Sequence, residues 1–386
     1  MYNRGTKYLF AGKYAKALQF FKKEKAEFKE LYLNMGNCYR WFNDFNNAEA
    51  CYVRANSSLV PFFDKSFSPM YPLALSNLGL LEYARGNDSL AADYYVAALE
   101  IDPLYYDALW NLGNAILRRH YSGEEVNVEL GWKLYEYRFK RSSGAVRIEN
   151  TVVRWDGVSS GSHIVVLTEQ GLGDKIMFGR YLSCLLSKFD KVSVVCHESL
   201  DCLFSDYDCY RDALSSGASV SIPLCSLAGI FGCVSANWLP KFTPHDFGPG
   251  FHIGCVWSGS SSHANDRNRS IKANYFNRLK SYGSLYSLNP GASYTGITDL
   301  SITDLGSTAS YILGLDIVVT VDTSVAHLAG SLGVPCIMIQ PLYETDFRWG
   351  LGRSSTPWYP SMVIVNHNDF ETAFSTVEEL IKCIKK

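Results

Sequence analysis

Four segments carry side chains whose types and spacing could do chemistry. The first is TEQGLGDKIMFGRYL (168–182), a strand end, a glycine loop and a helix start near Asp174. Glycines let a backbone approach a ligand closely. A carboxylate at a helix start is stabilised by free N–H groups, and it can also be a cap and nothing more. The dinucleotide fingerprint fails here, because Ile176 stands where its third glycine belongs. The second segment, VTVDTSVAHLAGSLGVPCIMI (319–339), runs from a strand into Asp322, Thr323 and Ser324, with His327 four residues after Thr323 on the same helix face. Hydroxyls beside the exposed N–H groups of a helix start suit a diphosphate. Ordinary capping and a core histidine would use the same residues. The third, WSGSSSHANDRNRSIKANYFNRL (257–279), follows a strand with Arg267, Arg269 and Lys272. A cation there would stabilise the charge developing on a leaving phosphate, although a solvated loop carries arginines too. The fourth, DFRWGLGRSSTPWYPS (346–361), holds Trp349, Trp358 and Tyr359. These rings could line a sugar or base site or wedge two domains together. Asp206-Tyr207-Asp208 spells a metal-binding DxD, but it lies in a polar stretch read as helix or loop with no strand before it.

The elements that must hold these segments follow from hydrophobic patterning. HIVVL (163–167), VSVVC (192–196), HIGCVW (252–257), DIVVTV (316–321) and PCIMI (335–339) read as buried parallel strands between helical stretches. Alternation of that kind implies right-handed βαβ units and doubly wound sheets. Two sets are present, at about 150–250 and 251–367, and LPKFTPHDFGPGF (239–251) reads as the hinge between them. Two Rossmann-like halves would then hold ligands at the carboxyl ends of their strands. Before residue 140 the pattern is different. Leu75, Leu78, Gly79, Gly86, Ala91, Tyr95, Ala98 and Pro103 match the tetratricopeptide repeat of about 34 residues. Another copy reads Tyr32, Met35, Gly36, Tyr39, Ala48, Tyr52, Ala55. A third begins at Leu109, Leu112 and Gly113, and a partial first one shows in Gly12, Ala17 and Phe21. The proline-bearing segment 57–72 takes up an insertion between the first two full copies. The segments RSSGAVRIEN and GVSSGS, within 140–162, read as linker and turns. The expected domains are 1–142, 143–250 and 251–386.

Composition sets bounds on this reading. The chain has 386 residues, 36 Lys+Arg against 38 Asp+Glu, and 14% aromatics with 25 Tyr. Near-neutral charge argues against a globally basic nucleic-acid coat, though not against a local patch. Residues 1–150 carry a net charge of +2 and the remainder −4. Much of the tyrosine excess falls at knob positions between repeat helices. The 11 Cys are scattered without a CxxC pair, and no run of about 18 apolar residues occurs. The expectation is a cytoplasmic protein without a membrane span or a bound metal.

The ordered set GWKLYEYRF (131–139), RWDG (154–157), EQGLGD (169–174), WSG…NDRNRSI (257–271), DTSVAHLAGSLGVP (322–335) and FRW…PWYP (347–360) resembles a known family. It is similar to tetratricopeptide-repeat glycosyltransferases whose catalytic part is like bacterial ADP-heptose:lipopolysaccharide heptosyltransferases. The resemblance covers about 130–365. It implies an α/β GT-B fold of two Rossmann-like halves, acceptor side first and donor side second, preceded by all-α repeats. It also implies inverting, metal-independent transfer from a nucleotide sugar, with a UDP-sugar as one candidate and no further cofactor. Asp174 would be the base. Asp322, Thr323, Ser324 and His327 would bind the donor, and Arg269 would stand where the family has a lysine. Further donor or acceptor contacts are expected from Glu169, Gln170, Gly171, Gly173, Ser258, Arg267, Trp349 and Trp358. A compact chain rich in Tyr, Asn and Ser looks like phage copies, some of which resemble arabinosyltransferases acting on 5-hydroxymethylcytosine in DNA. The localisation would then be the host cytoplasm. Basic runs at Lys22, Lys23, Lys25 and Lys29, or at Arg118, Arg119, Arg138, Lys140 and Arg141, would contact such a DNA, or form solvated helix faces. The alternatives are a transferase acting on lipopolysaccharide or protein, its repeats recruiting a protein partner, and a non-catalytic repeat scaffold.

Overall fold

A computed structural model describes all residues except 58–69, 143–145, 147–151, 233–237, 262, 264, 368 and 386. Most of the insertion expected at 57–72 and part of the linker expected within 140–162 therefore lie outside the described residues. The chain divides into two compact units, Met1–Ala145 and Val146–Lys386.

Among its described residues the regular structure of the first unit is helical: α1 (Tyr2–Phe10), α2 (Tyr14–Phe21), α3 (Lys29–Trp41), α4 (Phe45–Ser57), α5 (Met70–Arg85), α6 (Asp88–Ile101), α7 (Tyr106–Tyr121) and α8 (Val128–Tyr135). They pack as successive antiparallel pairs, α1 with α2 through α7 with α8. One steric device recurs. A glycine on the first helix of a pair faces an aromatic ring sixteen residues later on the second: Gly5 with Phe21, Gly36 with Tyr52, Gly79 with Tyr95. A Cβ on any of the three would lie within 2.6 Å of that ring. The glycines thus let the helices close, and the rings fill the crossing as knobs. Ala17, Ala48 and Ala91, wholly buried, give the second helices equally flat faces. Arg118 is fully buried. Its guanidinium grips both oxygens of Asp88, donates to the Tyr83 carbonyl and lies 3.3 Å from the centre of the Tyr83 ring. Arg138 is buried too and pairs with Glu136, while Arg119 pairs with Glu124 and Arg141 with Asp107. Arg118 and Arg138 are thus committed to the packing of the repeats, whereas Lys140 is exposed and Arg119 and Arg141 are partly so. Lys22, Lys23 and Lys25 of the other run are exposed.

The second unit contains two wholly parallel sheets. The first has β1 (Gly161–Leu167), α9 (Leu172–Phe178), α10 (Leu182–Leu185), β2 (Phe189–Val195), β3 (Asp208–Tyr210), β4 (Val220–Pro223) and α11 (Leu227–Phe231), in strand order β3-β2-β1-β4. The second has β5 (His252–Val256), α12 (Asp266–Arg269), β6 (Ser284–Ser287), β7 (Thr298–Asp299), α13 (Leu305–Gly314), β8 (Ile317–Val321), α14 (Ser324–Ser331), β9 (Cys336–Pro341), β10 (Met362–His367) and α15 (Phe370–Ile384), in order β10-β9-β8-β5-β6-β7. These are two Rossmann-like halves. β5 and β8 are buried along their whole length, which is why both read as unbroken apolar runs. The expected hinge, 239–251, is fastened to α13: His245 N–H donates to the Ser310 carbonyl (2.9 Å), and Ser310 Oγ donates to that of Thr243 (2.6 Å).

Two features differ from the sequence reading. Asp208 of the DxD opens β3, an edge strand, and pairs with Lys191 of β2 at 2.7 Å. Three residues of strand were too short to show in a polar stretch. The other strands not read in advance, β4, β6, β7 and β10, are short, part polar, or at a sheet margin. No helix among the described residues is long and apolar enough to cross a membrane.

Candidate functional site

In each sheet strand order reverses once, between β1 and β4 and between β5 and β8. Chain leaving the carboxyl ends of such neighbours diverges to opposite faces and opens a crevice. A cleft of about 660 Å³ lies there. Gly171, Leu172, Gly173 and Asp174 line it after β1, Ser258 and Gly259 after β5, and Asp322, Thr323, Ser324 and Val325 after β8. Arg269, His263, Asn289, His327, Asp346, Arg348 and Trp349 complete much of the wall.

Two helix N-termini meet at this cleft. α14 begins at Thr323, which makes no side-chain cap bond; its Oγ1 lies 3.3 Å from that of Thr320. The first N–H groups of any helix lack intrahelical partners, and here Ser324 and Val325, the first two residues of α14, line the cleft. α9 begins at Gly171, so Asp174 is its third helical residue and not its cap. The Asp174 carboxylate reaches back and accepts the Gly171 N–H at 2.9 Å. The N-termini can come close because Gly173 has no side chain: a Cβ there would lie 2.7 Å from His327 Cδ2. That glycine makes room for a neighbouring ring, a use its place in a ligand loop did not reveal.

The charges are held by a network that joins the two halves. Arg269 is buried and donates to the main-chain carbonyls of Asp322 (2.9 Å) and Ser260 (3.4 Å) and to Asp266 Oδ1 (3.2 Å). Gly259 lies so near that a Cβ would strike the guanidinium. Arg348 pairs with Asp174 through one terminal nitrogen and with Asp346 at 2.7 Å through the other. Arg180, also buried, donates at 2.9 Å to the Trp358 carbonyl. Burial pushes Asp322 up to about 6, with Asp346 adding to the rise and Arg269 opposing it. Burial is the largest influence on Asp346 and acts to raise it, but the charge of Arg348 and its main-chain and side-chain hydrogen bonds together hold that carboxyl below the ordinary range. His327 is held down to about 3, first by burial and then by Arg348, so its ring is neutral at working pH. Its Nδ1 lies 2.9 Å from the Tyr359 hydroxyl, and its ring stacks on Trp349 at 4.9 Å. Burial and Arg269 likewise lower His263.

Of the residues singled out in the sequence, the structure brings together Asp174, Gly171, Gly173, Ser258, Arg269, Asp322, Thr323, Ser324, His327 and Trp349 on this wall. Four others lie off it. Glu169 is buried beneath the loop and accepts the Cys225 N–H at 3.2 Å. Gln170 takes the left-handed turn (φ 61°) that aims the chain into α9. Arg267 pairs with Glu344 at 3.2 Å. Trp358 is buried against Phe178, with ring centres 6.3 Å apart. Sequence reasoning missed Asp346, Arg348, His263 and Asn289. Asn289 is a brace: its Oδ1 accepts the Trp257 N–H and its Nδ2 donates to the Ser258 carbonyl. Among the described residues one group has cation-ligand spacing, Cys196, Asp201 and Cys209, and none of the three lines the cleft. Arg211 already occupies both oxygens of Asp201.

No protein-family model matches the chain. Among curated proteins, Protein FlbA of Caulobacter vibrioides is 24% identical over 301 residues, covering 60% of this chain and 48% of the relative. The chain thus spans about half the length of that relative. Similar solved structures include the iron-containing dodecameric glycosyltransferase TibC from enterotoxigenic E. coli, 13% identical over 55% of this chain and 65% of that one, with a TM-score of 0.42. An O-GlcNAc transferase of Thermobaculum terrenum is 12% identical, covering 99% and 90%, with a TM-score of 0.37.

Proposed function

We propose that the cleft transfers a sugar from a nucleotide sugar to an acceptor hydroxyl with inversion at the anomeric carbon. The observation that carries this reading is the convergence of the α14 N-terminus, a deeply seated Arg269 and the Asp174 carboxylate on one cleft between two Rossmann-like halves. A donor diphosphate fits the Ser324 and Val325 N–H groups and Arg269. In the reaction Asp174 accepts the hydroxyl proton as the acceptor oxygen attacks the anomeric carbon. The bond from that carbon to the phosphate oxygen breaks, and the nucleoside diphosphate leaves with the electron pair. The attack comes from the face opposite the leaving group. Protein N–H groups and guanidinium supply the neutralising charge, so the proposed transfer proceeds without a divalent cation. His327, neutral and fixed by Tyr359, positions the loop around Gly173 and donates no proton to the leaving group.

For the acceptor, the 5-hydroxymethylcytosine of phage DNA stands as the lead proposal from the sequence resemblance, and the exposed Lys22, Lys23 and Lys25 offer charge for a phosphate backbone. Incubation of the full chain with a panel of nucleotide sugars and three acceptors tests both levels. The acceptors are hydroxymethylcytosine-containing duplex DNA, lipopolysaccharide and protein, all in the presence of EDTA. A sugar-sized mass increase on the nucleoside supports the lead proposal. Transfer to lipopolysaccharide or protein instead replaces it. No sugar release from any donor leaves the non-catalytic scaffold as the better reading.

A further inference from the structure

Arg348 and Arg269 both line the cleft, yet their partners differ in kind. Arg269 is held mainly by main-chain carbonyls, which fix its direction without cancelling its charge; Asp266 is its one carboxylate partner. Arg348 lies between two carboxylates, Asp174 from the first half and Asp346 from its own loop. The Asp346 contact is local: Asp346 Oδ1 also accepts the Arg348 main-chain N–H at 3.0 Å. It therefore travels with the loop. The Asp174 contact crosses from one half to the other and lies in the cleft wall. In this arrangement both oxygens of Asp174 are engaged, one by the Gly171 N–H and one by Arg348.

A diphosphate carries at least two negative charges. With Asp174, Asp322 and Asp346 also in the wall, one available guanidinium and one helix end leave those charges poorly matched. A guanidinium fork suits phosphate oxygens as well as it suits a carboxylate. We propose that Arg348 is a second ligand of the donor diphosphate, held in the unliganded protein on Asp174, and that donor binding moves it from the carboxylate to the phosphate. This deepens the glycosyl-transfer reading and rests on it. One exchange then does two things: the second cation arrives where the leaving group will form, and Asp174 gains a free oxygen only once donor is present. Arg348 is thus both a donor ligand and a positioning residue for the base, and the exchange imposes an order, donor before acceptor deprotonation.

The test is a double-mutant cycle read by calorimetric binding of inorganic pyrophosphate to the full chain. The four proteins are wild type, Asp174→Asn, Arg348→Gln and the double variant, each checked for a cooperative melt; Arg348→Met replaces the glutamine variant if that one fails to fold. If Asp174 competes with the phosphate for Arg348, Asp174→Asn tightens binding about 10-fold when Arg348 is present and at most about 3-fold when it is absent. If Arg348 only shields Asp174, the order reverses, because the unshielded carboxylate repels the anion most in the Arg348→Gln background. Equal gains in both backgrounds, or a larger gain without Arg348, overturn the exchange while leaving the diphosphate site standing. Absence of pyrophosphate binding by the wild type and by Asp174→Asn overturns the donor-site reading, and the exchange with it.

Discussion

Arg118 in the first unit and Arg348 in the second each pair with an aspartate in the first turn of a helix, Asp88 of α6 and Asp174 of α9. The sites around them are opposite. Arg118 is enclosed by Asp88, the Tyr83 carbonyl and the Tyr83 ring, and it has no exposed surface. No solute can compete for it there. Arg348 and Asp174 keep 10% and 16% of their side-chain surface exposed, and that surface faces a cleft large enough for a ligand. One pair is a fixed part of a helix crossing. The other is an ion pair that an incoming anion can replace. The same contrast runs through the glycines: Gly79 admits a ring that completes a core, whereas Gly173 admits His327 so that two helix ends can face one space.

The contrast is broken most easily at the arginines. Arg118→Leu leaves Asp88 buried without its partner and should cost about 3–5 kcal/mol in denaturant unfolding of the repeats. Arg348→Leu removes the partner of both Asp174 and Asp346, but at the wall of a cleft that water enters, and should cost less, about 1–2 kcal/mol. Equal costs would erase the distinction. The next effect has the opposite sign. Asp322, at about 6 in the folded protein against about 4 in an unfolded chain, binds its proton more tightly when folded. The stability this contributes is full below about pH 4 and lost as pH rises through 6. Asp322→Asn should therefore stabilise the second unit by about 2–3 kcal/mol above pH 7 and by nothing below pH 4. Thermal melts across that range measure it, and a pH-independent effect would refute the buried-charge account. The smallest effect is Gly79→Ala, whose Cβ meets Tyr95; it should destabilise the repeats by about 1–2 kcal/mol while pyrophosphate binding to the folded protein is unchanged.

The same contrast explains what was legible in the sequence. Gly36, Gly79, Tyr52 and Tyr95 follow a repeat period, so the helix pairs could be read from spacing alone. β1, β2, β5, β8 and β9 could be read because each carries a run of at least three consecutive buried residues, most of them apolar. β3 and β7 are marginal strands of two or three residues, and polarity hid them. Residues at strand ends, such as Asp322 and Ser258, were visible because polar chemistry interrupts an apolar run there. Arg348 was not visible as a partner of Asp174, because the contact joins positions 174 residues apart. Local pattern holds no record of a pairing that only the docking of two sheets creates. Arg118 and Arg138 misled for a related reason: a basic run looks solvated until the helix that covers it is in place.

In the proposed reaction Asp174 acts as the base on a donor held by α14 and Arg269. Single-turnover transfer and donor binding, measured side by side for Asp174→Ala and wild type with the donor found in the panel, test it most directly. Transfer should slow by about 1,000-fold while donor binding stays as tight or becomes tighter. An Asp174→Ala protein that transfers sugar at the wild-type rate would rule Asp174 out as the base.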